Sequence, residues 1–192
     1  MRGLSVKVTP IKSAKRFARQ APRAAKKISS RFDKVIKSAR RALKPKLAID
    51  AMKELRIWNS AKLTVGIHAA EGALVEGSLT VAQIMTVHEF GSSDGRIPMR
   101  SWLRGWFDES QEQMSGIVRD LTMAIVRGKL RAKTALARLG SIAVAELQAR
   151  WARTPGDWPA LKPKTIARKG SSKPLIDTGQ ARTSVTYQIA YK

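Results

Sequence analysis

The chain has 192 residues, 43% of them hydrophobic, no cysteine, and a formal charge of +23 from 37 basic and 14 acidic side chains. That length suffices for one buried core with an appendage. The lack of cysteine excludes disulfides and thiolate zinc sites, and no run approaches the ~18 apolar residues of a membrane span.

The charge is uneven. Residues 1–46 hold 16 basic side chains and one acid, Asp33, a net of +15, whereas residues 47–192 carry +8. Such a segment favours a polyanion, whether nucleic acid, an anionic membrane or an acidic protein surface, the alternative being a solvated basic tail without a dedicated partner; nucleic acid or an acidic protein surface is preferred. No apolar h-region follows the basic N-terminus, so no secretory signal is expected.

Residues 1–11 alternate around Leu4, Val6 and Val8 as far as Pro10, in the manner of a short edge strand or an arm without regular structure. From Ser13 the period changes to three and four. Phe17, Ala21, Ala25, Ile28, Phe32, Ile36, Ala39 and Leu43 share a stripe, predicting a basic amphipathic helix that begins in earnest after Pro22 and ends at Pro45. Contact with a polyanion or partner is assigned to Lys15, Arg16, Arg19, Arg23, Lys26, Lys27, Arg31, Lys34, Arg40 and Arg41. Membrane adsorption, docking on its own domain or a neighbour, and a cleavable transit sequence all suit an Arg-rich, acid-poor helix. The Ala-rich stripe, without tryptophan, favours docking.

A short helical piece carries Ala48, Ile49, Met52 and Leu55 on one side. Leu63–Ala69 reads as the first strand, with Leu63, Val65 and Ile67 on one face; Gly66 inside it predicts a bulge or a close backbone approach. Residues 70–79 read as a glycine-punctuated loop. Thr80 is expected to cap a helix through Val81, Ile84, Met85 and His88 that stops at Gly91. After a polar turn, Ile97-Pro98-Met99 must be extended, because the residue before proline is pushed out of the α region.

Ser101 is read as the N-cap of a helix with Leu103, Trp106, Met114, Val118, Leu121 and Ile125 on its stripe. A break near Gly128 precedes a second helix with Leu136, Leu139, Ala143, Leu147 and Trp151. The two should pack antiparallel or fuse into one bent rod. Thr154–Pro159 ends the helical part, 160–174 reads as a loop with one turn at Thr165–Arg168, and Thr178–Arg182 as a helical turn. Val185, Tyr187, Ile189 and Tyr191 alternate as a last strand, a candidate partner for Leu63–Ala69. The expectation is α+β: a small antiparallel sheet, a long helical hairpin and a basic N-terminal extension, divided into 1–46 and 47–192.

Residue supply argues against catalysis. His88-Glu89 lacks the second histidine of a zinc-protease helix, since Ser92 stands four residues on. His88 is read as a packing or capping residue. Asp177-Thr178-Gly179 matches the aspartic-protease tripeptide, whose chemistry needs two carboxylates sharing a proton. Gln-Ala-Arg-Thr-Ser follows it here, and a cap on the next turn is the simpler reading. Lys169–Lys173 lacks the Walker spacing, and Trp102, Trp106 and Trp151 fall on or near helix stripes, which points to the core rather than to stacked bases. No enzyme, cofactor or metal is expected.

The order of several short motifs is nevertheless specific. Val65-Gly66-Ile67, Val81-Ala-Gln-Ile84 leading to His88-Glu89-Phe90-Gly91, and Ile97-Pro98-Met99-Arg100 form one block. Trp158-Pro-Ala-Leu161, Lys164-Thr-Ile166, Lys169-Gly170 and Pro174-Leu-Ile-Asp177-Thr178-Gly179 before Ser184-Val-Thr-Tyr187 form another. Together they resemble, over residues 63–190, the tailed-bacteriophage neck and tail-completion proteins of the virion-morphogenesis type. Ser101 and Trp102 stand where that family usually has a second proline and a phenylalanine. The resemblance implies a structural virion subunit at the head-to-tail junction, made in the host cytoplasm and assembled as a ring of heterologous contacts. A hexamer is favoured over a dodecamer. Portal or adaptor proteins, tail-terminator or tail-tube proteins, and non-specific phage DNA are the implied partners, with no membrane. The alternative is a nucleic-acid-binding protein that uses the basic arm and forms no ring.

Overall fold

Two long runs of helical periodicity, on either side of Gly128, make the pair of helices on which the remaining elements are laid. The computed structural model describes residues 45–68, 74–75 and 79–191. In chain order these form α1 (Pro45–Ser60), β1 (Lys62–Gly66), β2 (Leu74–Val75), β3 (Leu79–Thr80), α2 (Val81–Phe90), α3 (Leu103–Val126), α4 (Ala132–Arg153), α5 (Pro163–Lys169), α6 (Gln180–Thr183) and β4 (Thr186–Ala190). The fold is α+β. The expected arm helix lies outside the described residues.

α3 and α4 pack as a hairpin rather than a bent rod. Gly128 takes φ +69° at the turn, and Lys129 N–H donates to Ala124 O at 2.9 Å. The expected stripes are the buried ones: Trp106 and Ile125 on α3, and Leu136, Ala143, Leu147 and Trp151 on α4. Two apolar clusters result. One joins Val81 and Met85 to Trp102, Trp106, Leu147, Trp151 and Trp158; the other joins α1 to the turn end of the hairpin through Leu55, Trp58, Ile125, Val126 and Ala135.

The terminal strands pair antiparallel, with Leu63 opposite Ile189 and Val65 opposite Tyr187, so the apolar residues of both fall on one face and pack on α4. Gly66 pairs regularly with Thr186, and a Cβ built on it meets nothing within 4 Å. The expected bulge or close approach is therefore corrected; what selects glycine there is its φ of +155°. The close approach occurs instead at Gly140, where the Tyr187 ring takes the space that a Cβ on α4 would occupy.

α1 also departs from expectation. α1 is described from Pro45, and the expected end of the arm helix at that residue lies at the edge of the described residues. The buried face is Ala51, Leu55 and Trp58, while Ile49 is 58% exposed. The predicted stripe stopped before Trp58, whose burial sets the orientation of the helix. Within the expected 70–79 loop, β2 and β3 pair as a two-rung ladder, Leu74 with Thr80 and Val75 with Leu79. α5 is seven residues rather than one turn, begun by Pro163 and closed by Gly170 at φ +67°.

Glutamates from other helices satisfy two helix N-termini. Ser101 was expected to cap α3, but that helix starts at Leu103 and no N-cap side chain closes it. Glu89, at the end of α2, accepts from Leu103 N at 2.9 Å, Arg104 N at 3.2 Å and Ser101 Oγ at 2.8 Å. Ser101 Oγ in turn accepts from Gly105 N at 3.1 Å. Glu54 of α1 likewise accepts from Ala132 N, the first residue of α4, at 2.7 Å. Both carboxylates sit at the positive end of a helix dipole.

Candidate functional site

α2 provides one wall of the candidate site. It opens with a capping box: Thr80 Oγ1 accepts from Gln83 N at 3.2 Å, and Gln83 Oε1 accepts from Thr80 N at 2.8 Å. It stops at Gly91, as expected. A Cβ on Gly91 would stand 3.1 Å from Met99 N and 3.2 Å from Ile97 O, so the extended Ile97-Pro98-Met99 segment can return over this residue only because it is glycine. The intervening turn is closed by Ser92, whose Oγ donates to Asp94 Oδ1 at 2.6 Å and accepts from Ile97 N at 2.8 Å. The return leaves Ile97 37% and Met99 49% exposed.

This return delivers Arg100. Its backbone N–H donates to His88 O at 2.7 Å, and its guanidinium runs inward to Pro159 O, with Nε at 3.0 Å and Nη2 at 2.8 Å. Nη2 lies 3.4 Å from Ala160 O as well. Only 4% of Arg100 is exposed, and among the described residues no carboxylate lies within ion-pair distance of it.

Beside Arg100 is a cavity of about 330 Å³. Val81, Ile84, Met85, Leu161, Leu175 and Ala181 give it an aliphatic lining. His88, Arg100, Thr165, Arg168, Lys169, Asp177, Thr178 and Gln180 supply its polar groups. Three cations thus face one carboxylate. Burial, followed by the charges of Arg100 and Lys169, pushes the His88 imidazole down to about 4, which keeps it neutral at physiological pH. Its Nδ1 is buried without a hydrogen-bond partner.

The sequence-selected residues divide accordingly. His88, Arg100, Asp177, Thr178 and Gly179 line the cavity. Glu89 caps α3, Phe90 lies 5.8 Å beneath the Arg104 guanidinium, and Gly91 and Pro98 shape the turn that carries Arg100. Trp158 is buried with Arg150 5.5 Å over its ring, and Pro174 is buried. Gly66 stands apart, in β1. The expected cap by Asp177 or Thr178 is corrected in part: Gly179 is the N-cap of α6, while Thr178 Oγ1 accepts from Gln180 N at 3.3 Å. The arm cations from Lys15 to Arg41 lie outside the described residues.

Sequence reasoning did not select Thr165, Arg168, Lys169 or Gln180 for this site. Thr165 and Lys169 had a signal in the Lys164-Thr-Ile166 and Lys-Gly pieces of the second motif block; Arg168 and Gln180 lie in the two expected turns, at Thr165–Arg168 and Thr178–Arg182, but nothing in those turns pointed to a shared cavity. Among the described residues, no group of three or more His, Asp or Glu side chains could hold a metal ion, and no helix is long and apolar enough to cross a membrane. No protein family, no curated protein and no solved structure matches the chain.

Proposed function

We propose that the chain is a structural subunit of a tailed-phage head-to-tail connection, a neck or tail-completion protein that closes into a ring at the portal–tail junction. One observation carries this reading. Several of the segments behind the motif resemblance, far apart in sequence, border one cavity, while Val65-Gly66 and Thr186-Tyr187 pair elsewhere in β1 and β4: His88–Gly91 and Ile97–Arg100 are tied by the Arg100 N to His88 O bond, and Arg100 reaches Pro159 of the Trp158–Leu161 segment. Leu175 to Gly179 completes the wall. Motifs that meet in this way are parts of one architectural unit, and their roles above are caps, turns and packing. Neither nucleophile–base pairs nor paired acids are among them.

Two further features support the reading. Leu79, Ile97 and Met99 are exposed apolar residues at the two ends of α2, suited to contacts with a neighbouring subunit. The charge of +23 would be multiplied by the copy number of a ring, surrounding DNA in the channel with cations or gripping acidic connector surfaces. The test is to label particles of the phage whose genome encodes this chain with a gold-conjugated antibody raised against it. Gold at the head–tail junction is expected; particles without label, or label on the capsid or along the tail, would refute the assignment.

A further inference from the structure

Among the described residues two arginines are buried, and their partners differ. Arg150, 2% exposed, has two carboxylates: Glu109 Oε1 at 2.7 Å and Asp157 Oδ1 at 3.5 Å from Nη2. Arg100, 4% exposed, has among the described residues only the carbonyl oxygens of Pro159 and Ala160. Carbonyl dipoles satisfy N–H groups but do not neutralise a charge, and a buried cation without a counter-ion is costly. Arg100 lines an open cavity, and two further cations, Arg168 and Lys169, line it too. The missing countercharge is thus at a place that a ligand can reach.

We propose that this cavity is a receptor for an acidic peptide segment of a protein partner, with a Glu or Asp carboxylate set against Arg100 and the aliphatic stem of that segment against Met85 and Leu175. The inference goes beyond the neck reading and holds whether or not the chain forms a ring. Three features select a peptide carboxylate over a nucleic-acid phosphate. The lining is mainly aliphatic, which suits a carboxylate on a hydrocarbon stem and gives nothing to a sugar–phosphate chain. The volume of about 330 Å³ fits one or two side chains. Asp177 on the rim would repel the repeated charges of a phosphodiester backbone, whereas Thr165, Thr178 and Gln180 offer partners to peptide amides.

The test uses the full chain, followed by NMR at the Met85 and Leu175 methyls and the His88 ring. Hexanoate, hexanol, inorganic phosphate and a blocked leucyl-glutamate dipeptide amide are titrated in turn. Saturable shifts are expected with hexanoate, tighter ones with the dipeptide, and responses about tenfold weaker or less with hexanol and phosphate. Arg168→Ala, at an exposed residue, should weaken dipeptide binding severalfold, and Asp177→Asn should tighten it. These opposite signs at two exposed rim positions are not a folding effect. The proposal is overturned if hexanol matches hexanoate, if phosphate binds more tightly than hexanoate, or if hexanoate binds and the dipeptide does not. It is equally overturned if no probe shifts these signals, or if the two rim variants fail to move affinity in opposite directions.

Discussion

Arg150 and Glu109 meet in a two-pronged ion pair, Nη2 to Oε1 at 2.7 Å and Nε to Oε2 at 2.8 Å, with the guanidinium 2% exposed and the carboxylate 58% exposed. The asymmetry decides what each substitution does. Removing Glu109 leaves a buried cation with a longer contact to Asp157 and one bond to Ser101 O. Solvent screening and these remaining partners reduce the cost, so Glu109→Ala should destabilise by about 1–2 kcal/mol in urea unfolding. Arg150 holds the Glu109 carboxyl below its usual 4.5. A depressed acid contributes its stability above the unfolded value and loses it as pH falls through the folded one. The penalty of Glu109→Ala should therefore be full at neutral pH and shrink below about pH 4.5; a penalty unchanged at pH 3 would contradict the pairing.

His88 behaves in the opposite chemical sense but with the same direction in pH. Its folded value of about 4 lies below the ordinary 6.5 of an imidazole, so between these pH values the unfolded chain binds the proton and the folded chain does not. Stability should be full above pH 6.5 and fall as pH drops towards 4, by at most about 3 kcal/mol from this one group. An NMR titration of the imidazole should show a midpoint near 4. In His88→Gln the fall across that window should be reduced; an equal fall would assign it to other groups.

Glu89 closes the N-terminus of α3 from another helix, so its loss strands several donors at once. Glu89→Ala leaves Leu103 N, Arg104 N and Ser101 Oγ without their acceptor and should cost about 2 kcal/mol or more. Amide exchange at Leu103 and Arg104 should accelerate well before global unfolding. Glu89→Gln keeps an acceptor oxygen and should cost less. Equal stability of the Ala variant and the parent would remove the cap from the account.

These glutamate caps show where sequence reading stops. Local signals were legible: the Thr80 cap, the stop at Gly91, the break at Gly128 and the period-2 alternation of Leu63–Ala69 and Val185–Tyr191. Each is written within one helical turn or one strand. Glu89, Glu54 and Arg150 act on residues 14, 78 and 41 positions away, and no periodicity encodes such distances. The cavity was half legible. His88, Arg100 and Asp177–Gly179 were selected as motif residues, while Arg168 and Lys169 are brought beside them by α5, whose placement beside α2 no local pattern encodes.

Gly140 stands inside α4, where alanine would ordinarily raise helix stability by about 1 kcal/mol. Here a Cβ would lie 2.5 Å from the Tyr187 ring carbons, and the ring is flanked by the β1–β4 pairing. Overpacking costs about 1–3 kcal/mol and should win, so thermal melting of Gly140→Ala should fall below that of the parent. The double variant Gly140→Ala/Tyr187→Leu should recover part of the loss. A stabilised single variant would show that the sheet can move away from α4.

The proposed ring is tested most directly by the mass of the purified full chain, measured by light scattering across a concentration series with negative-stain images of the same samples. On the neck proposal, closed rings with hexamer or dodecamer mass are expected, formed by the chain alone or on adding portal-side and tail-side proteins encoded beside it. A strict monomer at every concentration, with no assembly on either partner, would contradict the neck assignment and leave the non-ring nucleic-acid-binding reading in its place.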